Sequence, residues 1–528
     1  MKSKVELLSL PEELLLYILS FLPWQDILRC TSLCKVLRQA YISSSELQYI
    51  TELGGQQLLP VFGGYVSFSK RLQFLRDKAH AWFKFDIHSF EAISIPAQFC
   101  TGSEVTIANG YACFWKPTMY LCKIFPMLPK ALQQTIERDF SPDSLCSVPK
   151  QKQSDFDVLN VFIDPVQNLL AIAYVTVIRN GNMVYDEEYY IDLIALDGDG
   201  THPQAAGRTL FLSDLPTREN FITKSTKIEG FGRYIALRLF DDQSRTPAFT
   251  SRWWLQIWDW QHSTTSNSIL SGPIIDPDFD EIDICFLGNN RFLIVNDNLK
   301  LYSIEDMSQA PLLLACFSLP VSFMNLQCFT PTDDIARSSH SQTQAPQVTW
   351  ISNPKHRLLS FVTRHPDLYF VISTRIFFEP NFVDSKGTAT IPWESWGPSN
   401  ARAFPHRFLC KLAVSGNRAL YALAIAGAKM DDSGHSTEYR LHLMDFSPSA
   451  VKRHHQQGLG RMVNEPSTVE HVETKECITT SMPYVEVVSD KTISHGELIE
   501  MWLDSDKLYL LKSRFDTDKI DQFEVIEF

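Results

Sequence analysis

The sequence predicts a chain of two parts, a small all-α head followed by a large all-β body, so that the class of the whole is α+β. Three observations carry this. Apolar residues recur at helical spacing as far as Lys84 and hardly afterwards. From Phe85 onward, short alternating runs bounded by Gly, Asn, Asp and Pro take over. One element, a strand, a tight polar turn and a second strand, then repeats to the end of the chain. With 528 residues, 45% apolar and 21% charged, the composition is that of a globular protein and excludes a mainly disordered, collagenous or coiled-coil chain. The formal charge of −13 argues against binding a nucleic-acid backbone, which calls for a basic footprint.

In the head, Ser9-Leu10-Pro11-Glu12 reads as a helix start: Ser9 with Glu12 can form a capping box, and Pro11 is tolerated in a first turn. The helix is predicted to run to Leu22 and to stop at Pro23. Its apolar residues, Leu14, Leu15, Leu16, Ile18, Leu19, Phe21 and Leu22, sweep roughly 220° around the axis, where ~100° suffices for an ordinary surface helix. Asp26 is expected to cap a second helix, with Ile27, Cys30, Leu33, Cys34 and Leu37 on one face and Leu28 and Val36 elsewhere. So small a unit cannot bury all of this on itself. Part of the surface must be covered either by the body or by another protein. LQYITEL (47–53) reads as a short third helix, and Phe68, Leu72, Leu75, Ala79 and Trp82 mark a longer fourth.

In the body the repeated element occupies 159–175, 226–240, 282–297, 349–362, 409–425 and 498–513, with turns near Val166, Phe231, Asn289, Pro354, Gly416 and Ser505. Most copies are followed by a further alternating run, which gives four strands at a period of roughly sixty residues. That period fits a β-propeller of six to eight blades, whose stacked blades leave no long edge exposed; stacked β-sandwiches are the alternative. Six blades count directly. Strands near 85–96 and 106–124, or 478–489, would supply a seventh, and the C-terminal DQFEVIEF is expected to close the ring on early strands. The polar segments 330–346, 426–437 and 451–477 read as long loops.

Catalytic and metal motifs are missing: there is no Walker loop, no G-x-G-x-x-G, no H-E-x-x-H and no G-x-S-x-G. The eleven Cys are scattered without a CxxC and read as free thiols. DGDG at Asp197 to Gly200 resembles a calcium loop but meets Arg208 where a carboxylate is required, so a hairpin turn is expected. His454 and His455 read as a solvated loop pair. No cofactor and no metal is expected. LLLYILSFL is too short for a membrane span, and the chain reads as soluble and intracellular, cytoplasmic or nuclear. Two clusters of Trp stand out: Trp253, Trp254, Trp258 and Trp260 read as strand core, whereas Trp393 and Trp396, in the loop-like IPWESWGP, divide evenly between core and recognition.

The string LLSLPEELLLYILSFLPWQDILRCTSLCKVLRQ resembles an F-box in its LP pair, its Glu, its apolar helix ending FLP, the Asp opening the next helix, and the Leu-Cys-Lys near its end. Leu37 stands where that family often carries Trp. LQYITELGGQQL and RLQFLRDKAHAWFKFD are similar to the segment after the F-box in many fungal, particularly basidiomycete, F-box proteins. LQIWDW and LYSIED look like the third-strand ends of WD-repeat blades, without the Gly-His partner of that family. The resemblance implies an F-box domain over 1–45, a helical linker over 46–84 and a client-binding body over 85–528. It implies a Skp-type adaptor as partner and, through it, an SCF-type cullin-RING ubiquitin ligase, with an unknown protein client held by the body and no chemistry done by this chain. On that reading Leu10, Pro11, Leu14, Ile18, Phe21, Leu22, Ile27, Leu28, Cys34 and Val36 would form the adaptor surface, and Trp393 and Trp396 would contact the client. A scaffold that uses the same contact without ubiquitin transfer is the main alternative, and an enzyme housed in the propeller channel the weaker one.

Overall fold

A computed structural model describes residues 7–61, 66–87, 89–108, 110–127, 135–140, 145, 155–180, 184–198, 200–212, 226–241, 252–273, 282–288, 290–320, 327–329, 350–364, 367–380, 382, 390–405, 410–425, 438–458, 460–470, 477–493, 497–504, 507–514 and 519–528. Of the sequence expectations, the turns at Asn289 and Ser505 and the segments 330–346 and 426–437 lie outside these residues.

The head is helical, as its periodicity requires, but its boundaries differ from those expected. A 3-10 turn, Leu7–Ser9, precedes α1 (Glu12–Ser20), and Pro11 rather than Ser9 occupies the cap position, with no side-chain cap. The proline ring sets φ near −52° there, which fixes the entry without a hydroxyl acceptor. Pro23 in turn opens α2 (Trp24–Leu33), so Asp26 sits inside the first turn, where its charge favours the helix N-terminus, instead of capping it. The expected second helix is two helices. Cys34 adopts extended φ and ψ of −154° and 164°, and α3 (Lys35–Ser43) continues in a new direction. Ser44 caps α4 (Ser45–Gly55) by accepting from the Leu47 N–H at 3.2 Å. Gly54 of α4 lies under the Trp24 ring, and a Cβ there would stand 2.2 Å from it, so this crossing requires glycine. The long helix α5 (Phe68–Lys84) buries Leu72, Leu75, Ala79 and Trp82 as its spacing predicts, and ends at Phe85 in the left-handed region with φ 48°.

The body is seven four-stranded antiparallel sheets, two of them with an added edge strand. Their inner strands are Glu104–Ala108, Asp155–Asp164, Lys227–Phe231, Asp283–Gly288, Gln327–Phe329, Lys411–Ser415 and Glu497–Leu503, which number blades 1 to 7. Seven apolar clusters each join two neighbouring blades, so the ring is closed by the same kind of interface throughout. Between blades 7 and 1, Tyr509, Leu511, Phe523 and Val525 pack with Ile107, Ala112 and Phe114. Blade 7 takes its outer strand, Ser89–Ser94, from the start of the body and pairs it antiparallel with Lys519–Glu527, which is the closure expected for DQFEVIEF.

The β-propeller expectation therefore holds, with seven blades, and the stacked-sandwich alternative falls away. The seventh blade comes from 85–124 in a divided way: Ser89–Ser94 completes blade 7 while Glu104–Ala108 and its followers build blade 1. The run at 478–489 makes no separate blade. Tyr484–Ile493 is the fourth strand of blade 6, and the supposed loop 451–477 before it holds α7 (Pro448–Gln457), with α6 (Trp393–Asn400) preceding it in the chain, and the strands Arg461–Val463 and Ser467–Glu470. His454 and His455 lie on α7, not in a loop. At Asp197 to Gly200, of which Asp199 lies outside the described residues, the Ala195 N–H donates to the Gly200 carbonyl at 3.2 Å, in keeping with the hairpin turn expected there.

The head is fixed to one face of the ring. Leu58–Pro60 pairs with Trp350–Ser352, and the Asn417 side chain donates to the Gln56 carbonyl at 3.3 Å. Arg453 of α7 bonds Glu52 of α4 at 3.2 Å, and Trp82 of α5 stacks on Phe528 at 4.0 Å between centroids. Asn417 follows the inner strand of blade 6 and Phe528 follows the third strand of blade 7, so both mark the face where inner strands end. No described helix is long and apolar enough to cross a membrane.

Candidate functional site

Two surfaces stand out, one on the head and one around the ring axis. On the head, α1 divides its apolar residues as the wide sweep requires. Leu15 and Leu19 are buried, Leu19 in a cluster with Ile27, Leu37 and Leu47, while Leu14, Tyr17, Ile18 and Phe21 face outward. Phe21 is 70% exposed and touches Tyr17 edge-on at 4.8 Å. Leu33 and Val36, on either side of the Cys34 break, are exposed as well, and Leu7 and Leu8 join them from the 3-10 turn. Single exposed apolar residues are ordinary, but eight large ones on so short a segment make a patch of the kind that marks an interaction site.

Of the residues expected on this surface, Pro11, Leu14, Ile18, Phe21 and Val36 are exposed, and Leu10, Leu22, Leu28 and Cys34 are half-buried. Ile27 is a correction: with no exposed surface it belongs to the internal core of the head. Sequence reasoning passed over Leu7, Leu8, Tyr17 and Leu33. Tyr17 was within reach, since Leu14, Tyr17, Ile18 and Phe21 follow the i, i+3, i+4, i+7 pattern of one helical face.

Trp393 and Trp396 need a second correction. Both lie on α6 and are buried, Trp396 completely, in the cluster between blades 4 and 5. The Trp396 indole N–H donates to the Ser318 carbonyl at 3.1 Å, and the two rings meet edge-on at 4.8 Å. They are core, as are Trp253, Trp258 and Trp260.

Around the axis, polar side chains gather near the starting ends of the inner strands, on the face away from the head. Lys227 of blade 3 bonds Glu229 at 2.6 Å and Asp283 of blade 4 at 2.7 Å, with Arg238 3.5 Å from the same Asp283 oxygen. The other Asp283 oxygen accepts the Cys328 N–H of blade 5 at 2.9 Å. Burial would raise the Asp283 carboxyl, but Lys227 and Arg238 outweigh it and hold it below the usual range. Burial would likewise lower Lys227, yet Glu229 and Asp283 keep its ammonium above the usual lysine range. Asn160 of blade 2 donates to Glu104 of blade 1 at 3.4 Å and to the Thr226 carbonyl, just before blade 3, at 3.2 Å. Glu104 is raised by burial. Glu500 of blade 7 is raised by burial to about 7, only partly relieved by Lys411 of blade 6. The sequence hid this girdle because its members sit at different offsets from the turns by which the blades are counted. Among the described residues no group of three or more His, Cys, Asp or Glu is placed to hold a metal ion.

With this geometry in hand, comparison with known proteins separates the two parts. Residues 7–45 match the F-box-like family model. The head is F-box-like. The match spans the 3-10 turn, α1, α2 and α3, and so includes every exposed apolar residue named above. No curated protein matches the chain. Among solved structures, the WD40 domain of SCAP from fission yeast is similar at 8% identity and a TM-score of 0.33, over 80% of this chain and 81% of its own. Puromycin hydrolase is similar at 12% identity and a TM-score of 0.31, over 80% of this chain and 52% of the enzyme. The C-terminal WD40 domain of Sif2 is similar at 9% identity and a TM-score of 0.31, over 84% and 99%. The seven-blade assignment rests on the strand pairing of this chain itself.

Proposed function

We propose that this chain is a substrate-recognition adaptor of an SCF-type cullin-RING ubiquitin ligase, acting in the cytoplasm or nucleus and doing no chemistry of its own. The F-box-like head would bind a Skp-type adaptor, and the propeller would hold a protein client. The observation that carries the reading is the exposed apolar face of the head: Leu14, Tyr17, Ile18 and Phe21 stay uncovered although the head is firmly attached to the ring through α4, α5 and α7. The body therefore does not use that face, and a partner protein remains to cover it. Burying one such Leu or Ile side chain stabilises a complex by ~1.5–3 kcal/mol. Co-purification of the intact chain with a Skp-type adaptor tests the reading. Capture by the native sequence, lost in a folded Leu14→Asp, Ile18→Asp variant, supports it, and no capture by the native sequence refutes it.

A further inference from the structure

Two thiols of blade 1 meet in its core. The second and third strands of the blade, Tyr111–Lys116 and Leu121–Pro126, pair antiparallel, with Cys113 opposite Ile124 and Cys122 opposite Trp115. Cys113 and Cys122 are therefore diagonal neighbours across the ladder, and both enter the apolar cluster between blades 1 and 2. Their sulfurs stand 3.1 Å apart. A disulfide holds its sulfurs at about 2.05 Å, so roughly 1 Å of approach separates this contact from a bond.

Access comes from the edge of the blade. The third strand is covered by the outer strand Ile136–Asp139, four residues that are all half-buried or exposed, with Arg138 opposite Cys122. So short an edge gives up little burial when it opens, and local unfolding starts from such segments. In the closed blade, contact with Cys113 and burial hold the Cys122 thiol well above its usual range, and Arg138 offsets this only in part. Opening admits water and removes the burial, which returns the thiol towards its ordinary range and frees the thiolate that reacts.

We propose that Cys113 and Cys122 are a modification site, at which hydrogen peroxide joins the two sulfurs in a reversible disulfide. First the Cys122 thiolate attacks one peroxide oxygen; the O–O bond breaks, a sulfenic acid forms and hydroxide leaves. The Cys113 thiolate then attacks the Cys122 sulfur; the S–O bond breaks, the S–S bond forms and a second hydroxide leaves. The two thiol protons turn both hydroxides into water, and the two electrons lost by the sulfur pair reduce the peroxide. Reducing thiols such as glutathione undo the bond by exchange, so it lasts only while oxidant persists. The blade it fastens also closes the ring, since Ile107, Ala112 and Phe114 of blade 1 pack on blade 7. The site does not depend on the ligase reading.

The test treats the full chain with hydrogen peroxide, alkylates the remaining thiols and digests with chymotrypsin, which cuts after Phe114, Trp115 and Tyr120, between the two Cys. Mass spectrometry should find the Cys113 and Cys122 peptides joined, and separate again after dithiothreitol. Exposed Cys477 reports that the oxidant has acted. Linkage of the pair should exceed the joining of either residue to any other Cys by about tenfold, because the fold holds the two in contact. The linked chain should melt ~2–6 °C above the reduced one, a difference absent in a Cys122→Ser variant, or in Cys122→Ala if the serine variant does not fold. Cys113 and Cys122 both alkylated while Cys477 is oxidised overturns the proposal. So does either residue joined mainly to another Cys, or oxidised without linkage. A linked chain that melts no higher than the reduced one overturns it too, since the bond would then belong to an unfolded form.

Discussion

Leu14 and Ile27 lie thirteen positions apart and are both aliphatic, yet the fold gives them opposite tasks. Leu14 is 48% exposed, so Leu14→Asp costs the isolated chain little; Ile27 has no exposed surface, and Ile27→Asp places an unpaired charge in the core of the head. Circular dichroism melts should leave the first variant near the native midpoint and show the second with a lost head, although both would fail to capture an adaptor. Trp396→Ala should cost about 3–5 kcal/mol in urea unfolding, because it empties a buried site and orphans the Ser318 carbonyl. Glu500 makes stability depend on pH. Its carboxyl titrates at about 7 in the folded chain against 4.5 ordinarily, so the folded state holds the proton more tightly. Below pH 4.5 both states are protonated and the group is neutral in effect; stability then falls as pH rises to about 7 and stays lowered above it. Relative to the native chain, Glu500→Gln should therefore be near neutral at about pH 4.5 and more stable by roughly 1–3 kcal/mol at about pH 7 to 8. A gain of the opposite sign would contradict the burial of this group.

Which elements were legible in the sequence follows from what each depends on. The sweep of α1 predicted its two faces, since periodicity alone decides which residues share a side. The break at Cys34 was hidden, because Leu33, Cys34 and Leu37 keep helical spacing across it and neither Gly nor Pro marks it. The strand-turn-strand repeat located five inner hairpins, whose turns are local, but misread 349–362, where Trp350–Ser352 pairs with Leu58–Pro60 of the head and the inner strand of blade 5 is the distant Gln327–Phe329. It could not show that blade 1 and the outer strand of blade 7 divide the stretch before it, nor that α7 interrupts blade 6, because those depend on pairing between distant segments. Trp393 and Trp396 were ambiguous for the same reason: the IPWESWGP segment becomes core only because blades 4 and 5 close over it. At the scale of the inner strands, Lys227→Met should destabilise the chain by about 3–5 kcal/mol in urea, since it leaves Glu229 and Asp283 buried beside one another. An unchanged midpoint would mean that Arg238 alone satisfies them.

As a whole, the molecule couples its two parts through the start of the body. The strand Ser89–Ser94 follows α5 directly and completes blade 7, so the chain that carries the head also closes the ring. A chain lacking residues 1–96 loses both, and should unfold at a lower temperature and aggregate through the uncovered edge of Lys519–Glu527. A chain that starts at Phe85 keeps the closing strand and should retain more of the stability, a difference that differential scanning calorimetry resolves. With the head fixed to one face of the ring and its apolar face left free, an adaptor would cover the head without covering the blades. Hydrogen exchange of the intact chain with and without a Skp-type adaptor tests this arrangement most directly. Protection confined to Leu7–Ser9, α1, α2 and α3 is the predicted result; protection on the propeller blades, or none anywhere, would contradict it.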